Sequence, residues 1–134
     1  MGAEAYCYIA GFNDDPLISL REAQEAIFAR GEFNGSDMGF ESIEEALIEM
    51  AECGGTGSLL DVYGISDQQE MGCATPLSEE CLKSMFGTDK PSNDQVKNTD
   101  AYFNGLKRGE CRFFVIHDSK GEPESYLFFG LSWD

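Results

Sequence analysis

Two runs near the C-terminal end, Cys111–His117 (CRFFVIH) and Ser125–Trp133 (SYLFFGLSW), restrict the folds open to this chain more than any other feature. Both are rich in the aromatic and β-branched residues that favour an extended backbone. Their apolar residues stand side by side instead of alternating: Phe113, Phe114, Val115 and Ile116 in the first, Leu127, Phe128 and Phe129 in the second. Successive residues of a strand point to opposite faces, so each run puts apolar side chains on both sides of its sheet. Such strands have to be covered on both faces, by helices or by a partner. Between them, Asp118-Ser119-Lys120-Gly121 suits a type I turn with Gly121 in the left-handed position. The expectation is a hairpin that pairs residues near 111–117 with residues near 125–131 at the centre of the core.

The rest of the chain supplies the cover. Residues 5–12 (AYCYIAGF) read as a first strand, closed by the turn Asn13-Asp14-Asp15-Pro16. Ser19-Leu20-Arg21-Glu22 has the capping-box form and predicts a helix with Leu20, Ala23 and Ile27 on one face and Gly31 as its stop. Glu32–Phe40 reads as a loop. A second box, Ser42-Ile43-Glu44-Glu45, opens a helix striped by Ile43, Ala46, Leu47 and Met50 and ended by Gly54. The two boxes lie 23 residues apart with a shared pattern, which capping chemistry explains without a duplication. Ser58–Ser66 reads as a strand or a buried turn and strand. Thr75-Pro76 predicts the cap and first residue of a third helix through Leu77, Cys81, Leu82 and Met85, stopped by Gly87. Thr88–Asp100 is polar and reads as a surface connection, the segment expected to move most. Thr99 then caps a short helix through Tyr102, Phe103 and Leu106 that ends at Gly109. The fold expected is α+β: one domain over residues 1–134, with a small, mainly antiparallel sheet, the C-terminal hairpin central, and three or four helices packed on it.

At 134 residues, roughly two-thirds of the unfolded chain's surface can be buried, enough for a core without staples. No apolar run approaches the roughly 18 to 20 residues of a membrane helix. MGAEAYCYIAGF has no Lys or Arg ahead of an apolar stretch, so no signal peptide is expected. The five cysteines (Cys7, Cys53, Cys73, Cys81, Cys111) are odd in number, widely spaced and without a CxxC pair. Reduced, mostly packed thiols in a cytoplasmic protein are the reading.

The net charge is −16, and it is unevenly placed. Residues 1–80 hold 17 acids against Arg21 and Arg30, a balance of −15; residues 81–134 hold 8 acids and 7 bases, a balance of −1. That field repels nucleic-acid phosphate and anionic lipid and speeds encounter with basic surfaces. Neither direct nucleic-acid binding nor membrane binding is expected. On the second helix, taking Ile43 as zero and about 100° per residue, Glu41, Glu45, Glu49 and Glu52 lie opposite the apolar stripe, and Ile48 falls among them at about 140°. An apolar anchor ringed by carboxylates is the make-up of an interface with a basic partner.

Motifs for chemistry are weaker. Gly54-Gly55-Thr56-Gly57-Ser58 looks like a phosphate cradle but has no Lys and follows a helix, so a helix stop and turn is expected there. His117 is the only imidazole, and it stands where a hairpin turn begins, a place where surface histidines are common. Asp61 and Asp67, with Glu70, offer oxygen ligands for Mg²⁺ or Ca²⁺ but lack the EF-hand spacing; no metal and no cofactor are expected. The function expected is that of a small acidic cytoplasmic inhibitor, an immunity protein that neutralises a basic toxin or nuclease and uses no catalytic residue. One alternative is a phage or plasmid anti-defence inhibitor, of anti-CRISPR or antirestriction type, that mimics nucleic-acid charge against a nucleic-acid-binding enzyme. The other is a small enzyme with an unrecognised site, which requires a concave pocket holding a perturbed acid or thiol.

Overall fold

The two double-sided runs pair with each other. In the computed structural model, which describes residues 4–68, 70, 72–99 and 101–132, β4 (Cys111–His117) and β5 (Pro123–Leu131) form an antiparallel hairpin with Phe113 opposite Phe128 and Phe114 opposite Leu127. The Asp118 carbonyl accepts from the Gly121 N–H, and its carboxylate accepts from the N–H groups of Lys120 and Glu122. Gly121 takes a φ of 79°, as the turn requires. Trp133, the end of the second apolar run, and Asp100, the end of the polar connection, lie outside the described residues.

β1 (Ala5–Gly11) adds antiparallel to the free side of β5, with Tyr8 opposite Phe128. β3 (Cys73–Pro76) lies parallel to β4, and β2 (Gly64–Ile65) parallel to β3, giving the order β1-β5-β4-β3-β2. The hairpin therefore stands inside a five-stranded sheet, but the sheet is mixed, where a mainly antiparallel one was expected. The reason lies between residues 77 and 110. Helices α3 (Glu79–Phe86) and α4 (Asn93–Lys97) occupy that stretch as a crossover, and a crossover returns the chain parallel to the strand it left.

Both faces are covered, as the sequence demands. On one, Tyr6, Ala10, Ala74, Cys111, Phe113, Tyr126 and Phe128 pack under Leu20, Ala23 and Ile27 of α1 (Pro16–Arg30) and under Leu59 and Leu60. On the other, Phe114, Ile116, Leu127 and Phe129 meet Leu82 of α3, Val96 of α4 and the half-buried Leu77, Phe86, Tyr102, Phe103 and Leu106. Tyr102 and Phe103 approach Phe129 edge-on, with ring centres 5.0 and 5.4 Å away, the arrangement favoured by aromatic quadrupoles.

Four local expectations need correction. α1 begins at Pro16, three residues before the expected box: Asp15 accepts from the Leu17 N–H, and Pro16 fills the first turn. Asp-Pro outcompetes Ser19, which is buried within the helix and donates its hydroxyl to the Gly11 carbonyl at 2.7 Å. Thr75-Pro76 ends β3 instead of opening a helix; Pro76 lies beyond the short β2, where its missing N–H leaves no gap in that ladder. The cap of α3 is Ser78, which accepts from the Cys81 N–H, and Gly87 is its stop. The supposed surface connection contains α4, held by a complete capping box between Ser92 and Gln95, with Val96 as its buried residue. The Thr99 hydroxyl accepts from the Ala101 N–H at the start of a single 3₁₀ turn, Ala101–Phe103. Ser58–Ser66 divides into a 3₁₀ turn, Leu59–Asp61, and β2.

Phe128→Ala or Phe114→Ala is expected to cost about 3 to 5 kcal/mol, since both rings are buried and the mixed sheet closes around them. Chemical denaturation of the two variants against the parent measures it.

Cys111 and Tyr6 add a pH dependence. Burial pushes the Cys111 thiol up to about 12 from its ordinary 9.0, and burial also pushes the Tyr6 hydroxyl far above its usual range. Both groups are neutral when folded and ionise more readily once unfolded. Their contribution to stability is thus full below pH 9 and lost as the pH climbs from about 9 towards 12. The melting temperature is expected to fall across that window, and less steeply in Cys111→Ala.

Candidate protein-binding surface

The acidic second helix is short and held from one side. α2 (Ile43–Met50) starts at Ser42, whose hydroxyl accepts from the Glu45 N–H at 3.1 Å, and ends in a 3₁₀ turn (Ala51–Cys53) with Gly54 left-handed at φ 86°. Ala46 and Met50 are buried, while Ile43 and Leu47 pack half-buried against the first core. The expected stripe therefore faces inward. Ile48 faces outward, 72% exposed, the most exposed large apolar side chain among the described residues. Glu41, Glu44, Glu45, Glu49 and Glu52 are all exposed around the same helix.

None of these carboxylates is neutralised within the described chain. The ion pairs among the described residues are Arg30–Glu32 at 3.7 Å and Arg112–Glu110 at 3.5 Å. Arg21 is committed elsewhere: its guanidinium donates to the Gln24 side chain and, at 2.6 Å, to the Tyr63 carbonyl. The buried Gln24 amide in turn donates to the carbonyls of Leu59 and Val62. That chain of bonds pins the 59–63 segment to α1, so Arg21 serves the scaffold, while Arg30 is engaged in the exposed pair with Glu32. Glu49 also stands in the last turn of α2, at the negative end of the helix dipole, with no base there to offset it. The helix gains nothing from a carboxylate in that place.

The motifs for chemistry resolve differently. The glycine-rich loop does wrap its backbone around an anion, but the anion is the chain's own. Asp61 accepts from the N–H and hydroxyl of Thr56, at 2.9 and 2.8 Å, and from the N–H of Gly57 at 3.1 Å. Gly55 is required: with φ at 95°, a Cβ there would meet the Asp61 carboxylate at 2.8 Å. The cradle is filled, and Asp61 is a loop organiser instead of a candidate ligand. Glu70 receives the Tyr63 hydroxyl at 3.2 Å, and no cluster of three metal-ligating side chains occurs among the described residues. Asp61, Asp67 and Glu70 thus do not converge.

His117 is half-buried at the end of β4; its backbone N–H donates to the Pro91 carbonyl at 2.8 Å, and its ring Nδ1 is enclosed without a hydrogen-bond partner among the described residues. All five cysteines are free; Cys7, Cys53 and Cys81 are exposed, Cys73 and Cys111 buried. No helix among the described residues is long and apolar enough to cross a membrane. Comparison of the chain with known protein families, with curated proteins and with solved structures finds no match.

Two features escaped the sequence reading. The role of Asp61 depends on a loop five residues upstream folding back, which no short motif encodes. The exposure of Ile9 is the other: reading residues 5–12 as a strand does not tell which of its side chains are covered.

Asp61→Ala is expected to destabilise the protein by about 2 to 4 kcal/mol, because it strands the N–H and hydroxyl of buried Thr56 and the N–H of half-buried Gly57. Millimolar Mg²⁺ or Ca²⁺ is expected to leave the parent's melting temperature unchanged. Differential scanning calorimetry of both proteins, with and without cation, checks the pair of outcomes.

Proposed function

We propose that this chain is a small acidic binding protein whose α2 face meets and blocks a basic protein, as an immunity protein does with a nuclease toxin. The observation that carries the reading is Ile48, standing out from α2 among Glu41, Glu45, Glu49 and Glu52 with no base paired to them. Long-range attraction from the carboxylates raises the rate of encounter, and the apolar anchor, once desolvated, slows departure. Such a role uses no catalytic residue and no cofactor, and it suits a protein of the cytoplasm. Mimicry of nucleic-acid charge against a defence enzyme shares this mechanism, but it calls for carboxylates in extended rows. The acids around α2 instead circle a hydrophobic centre, which favours ordinary protein recognition.

The test begins with the partner that co-purifies from the source cells, followed by binding kinetics. The double reversal Glu45→Lys and Glu49→Lys is expected to slow association sharply while leaving the melting temperature nearly unchanged, since the cation gained near the helix C-terminus at 49 and the anion lost from the first turn at 45 are each worth about 0.3 to 1 kcal/mol with opposite sign. Ile48→Asp is expected to shorten the lifetime of the complex, by several kcal/mol of lost affinity, because it buries an unpaired charge. Parent-like kinetics in all variants, with no salt dependence, would move the interface off α2.

A further inference from the structure

β1 is the outer strand of the sheet, and it is open. The Ser132 N–H donates to the Glu4 carbonyl at 2.8 Å, and the Phe12 N–H to the Glu124 carbonyl at 3.2 Å. Antiparallel pairing alternates, so the even-numbered residues of this stretch bond to β5, while Ala5, Cys7 and Ile9 turn their N–H and C=O groups away from it. At Gly11 the edge is closed by the Ser19 hydroxyl on its carbonyl. Among the described residues no strand lies on the outer side. Natural edges are normally blunted by a charge, a proline or a bulge. β1, AYCYIAG, has no charged residue and no proline, and its pairing with β5 runs in unbroken register.

The surroundings are apolar in the middle and acidic at the ends. Ile9 is 59% exposed, and Phe12, Leu17 and Ile18 are exposed just beyond it. On the Ile9 side, a groove of about 510 Å³ runs between β1 and α4, lined by Cys7, Ile9, Leu127, Val96 and Tyr102 together with the polar residues of 93–99, Lys97 among them. Exposed Glu4 precedes the strand, and exposed Asp14 and Asp15 follow it.

We infer that the β1 edge takes up an extended segment of a basic protein as a sixth strand, neutral or apolar opposite Ala5–Ile9 and carrying Lys or Arg at both ends. Main-chain hydrogen bonds supply the attachment, and alternate side chains of the added strand rest beside Ile9 and the groove. A second copy of this chain is the disfavoured occupant. Antiparallel self-pairing sets the Glu4 end of each copy against the Asp14–Asp15 end of the other and brings together two chains of charge −16. The inference takes from the proposed function only the sign of the partner's charge, and it concerns a different surface.

The probe is a nine-residue peptide of alternating Thr and Val flanked by two Lys at each end, titrated into the full chain and followed by amide NMR. The expected result is shifted and slow-exchanging amides at Ala5, Cys7 and Ile9, with about tenfold weaker binding when Glu replaces the Lys residues. Ile9→Pro removes an outward N–H without breaking the ladder to β5, and is expected to abolish the effect. Should that variant not fold, Cys7→Lys, which places a charge against the neutral middle of the docked strand and repels its Lys ends, is expected to weaken binding about tenfold. Equal binding of the Glu peptide, perturbation confined to α2, or no perturbation at all overturns the inference. So does concentration-dependent dimerisation that protects the same three amides without peptide. The α2 reversals leave this titration unchanged, so the two readings fail separately.

Discussion

Phe128 and Phe129 are consecutive in β5, fully buried, and directed to opposite faces. Everything else in the fold answers to that pair. One ring has to be roofed by α1 and the Leu59–Asp61 turn, the other by α3, α4 and the 101–106 stretch. A strand apolar on both sides cannot sit at an edge without exposing a flank, so β1 and β4 close on it from either side. Gly130 records how tightly β1 is drawn in: a Cβ there would stand 2.5 Å from the Tyr6 hydroxyl and from the Glu110 carbonyl. The middle of the sheet leaves no room even for a methyl group.

The polar side of the molecule follows a second rule, separation of duties. With the His117 Nδ1 as the exception, enclosed charge and polarity are satisfied internally: Glu110 by Arg112 and the Lys107 N–H, Gln24 by two carbonyls, Asp61 by the glycine-rich loop. The carboxylates around α2 are bound by none of these arrangements. Isolated surface charges contribute little to stability, and Glu49 at the negative end of its helix contributes less than nothing. Their concentration around one outward-facing Ile is what makes α2 a candidate surface instead of a solvated flank.

How far this was legible in the sequence depended on the range of the interactions concerned. The β4–β5 hairpin and its turn are encoded within about 20 residues, and they appear where expected, except that β5 starts two residues earlier, at Pro123, across a register shift at Ile116/His117. The α2 stripe and the outward Ile48 follow from the 100° spacing alone. Failures arose where two local signals competed. Asp15-Pro16 won over Ser19, and Ser78 won over Thr75, because strand pairing claimed residues 73–76 first. α4 was missed because a five-residue helix shows one buried apolar residue, Val96, and so has no period to detect. Parallel pairing of β2 and β3 lies beyond local reading altogether, since each strand is too short to declare its neighbours. The open edge of β1 was hidden for the same reason: apolar composition tells that a strand is half-covered or more, not which flank lacks a neighbour.

The pairing of β1 with β5 has a consequence in time. Gly11 has to wait for Ser125, and Ala5 for Leu131, so everything between them is synthesised before the first strand finds its place. Long-range closure of this kind slows folding and leaves apolar segments uncovered meanwhile. The waiting portion is the part that carries 17 acids against two bases. Mutual repulsion between nascent chains then keeps AYCYIAG from pairing with its copies until the hairpin arrives to receive it.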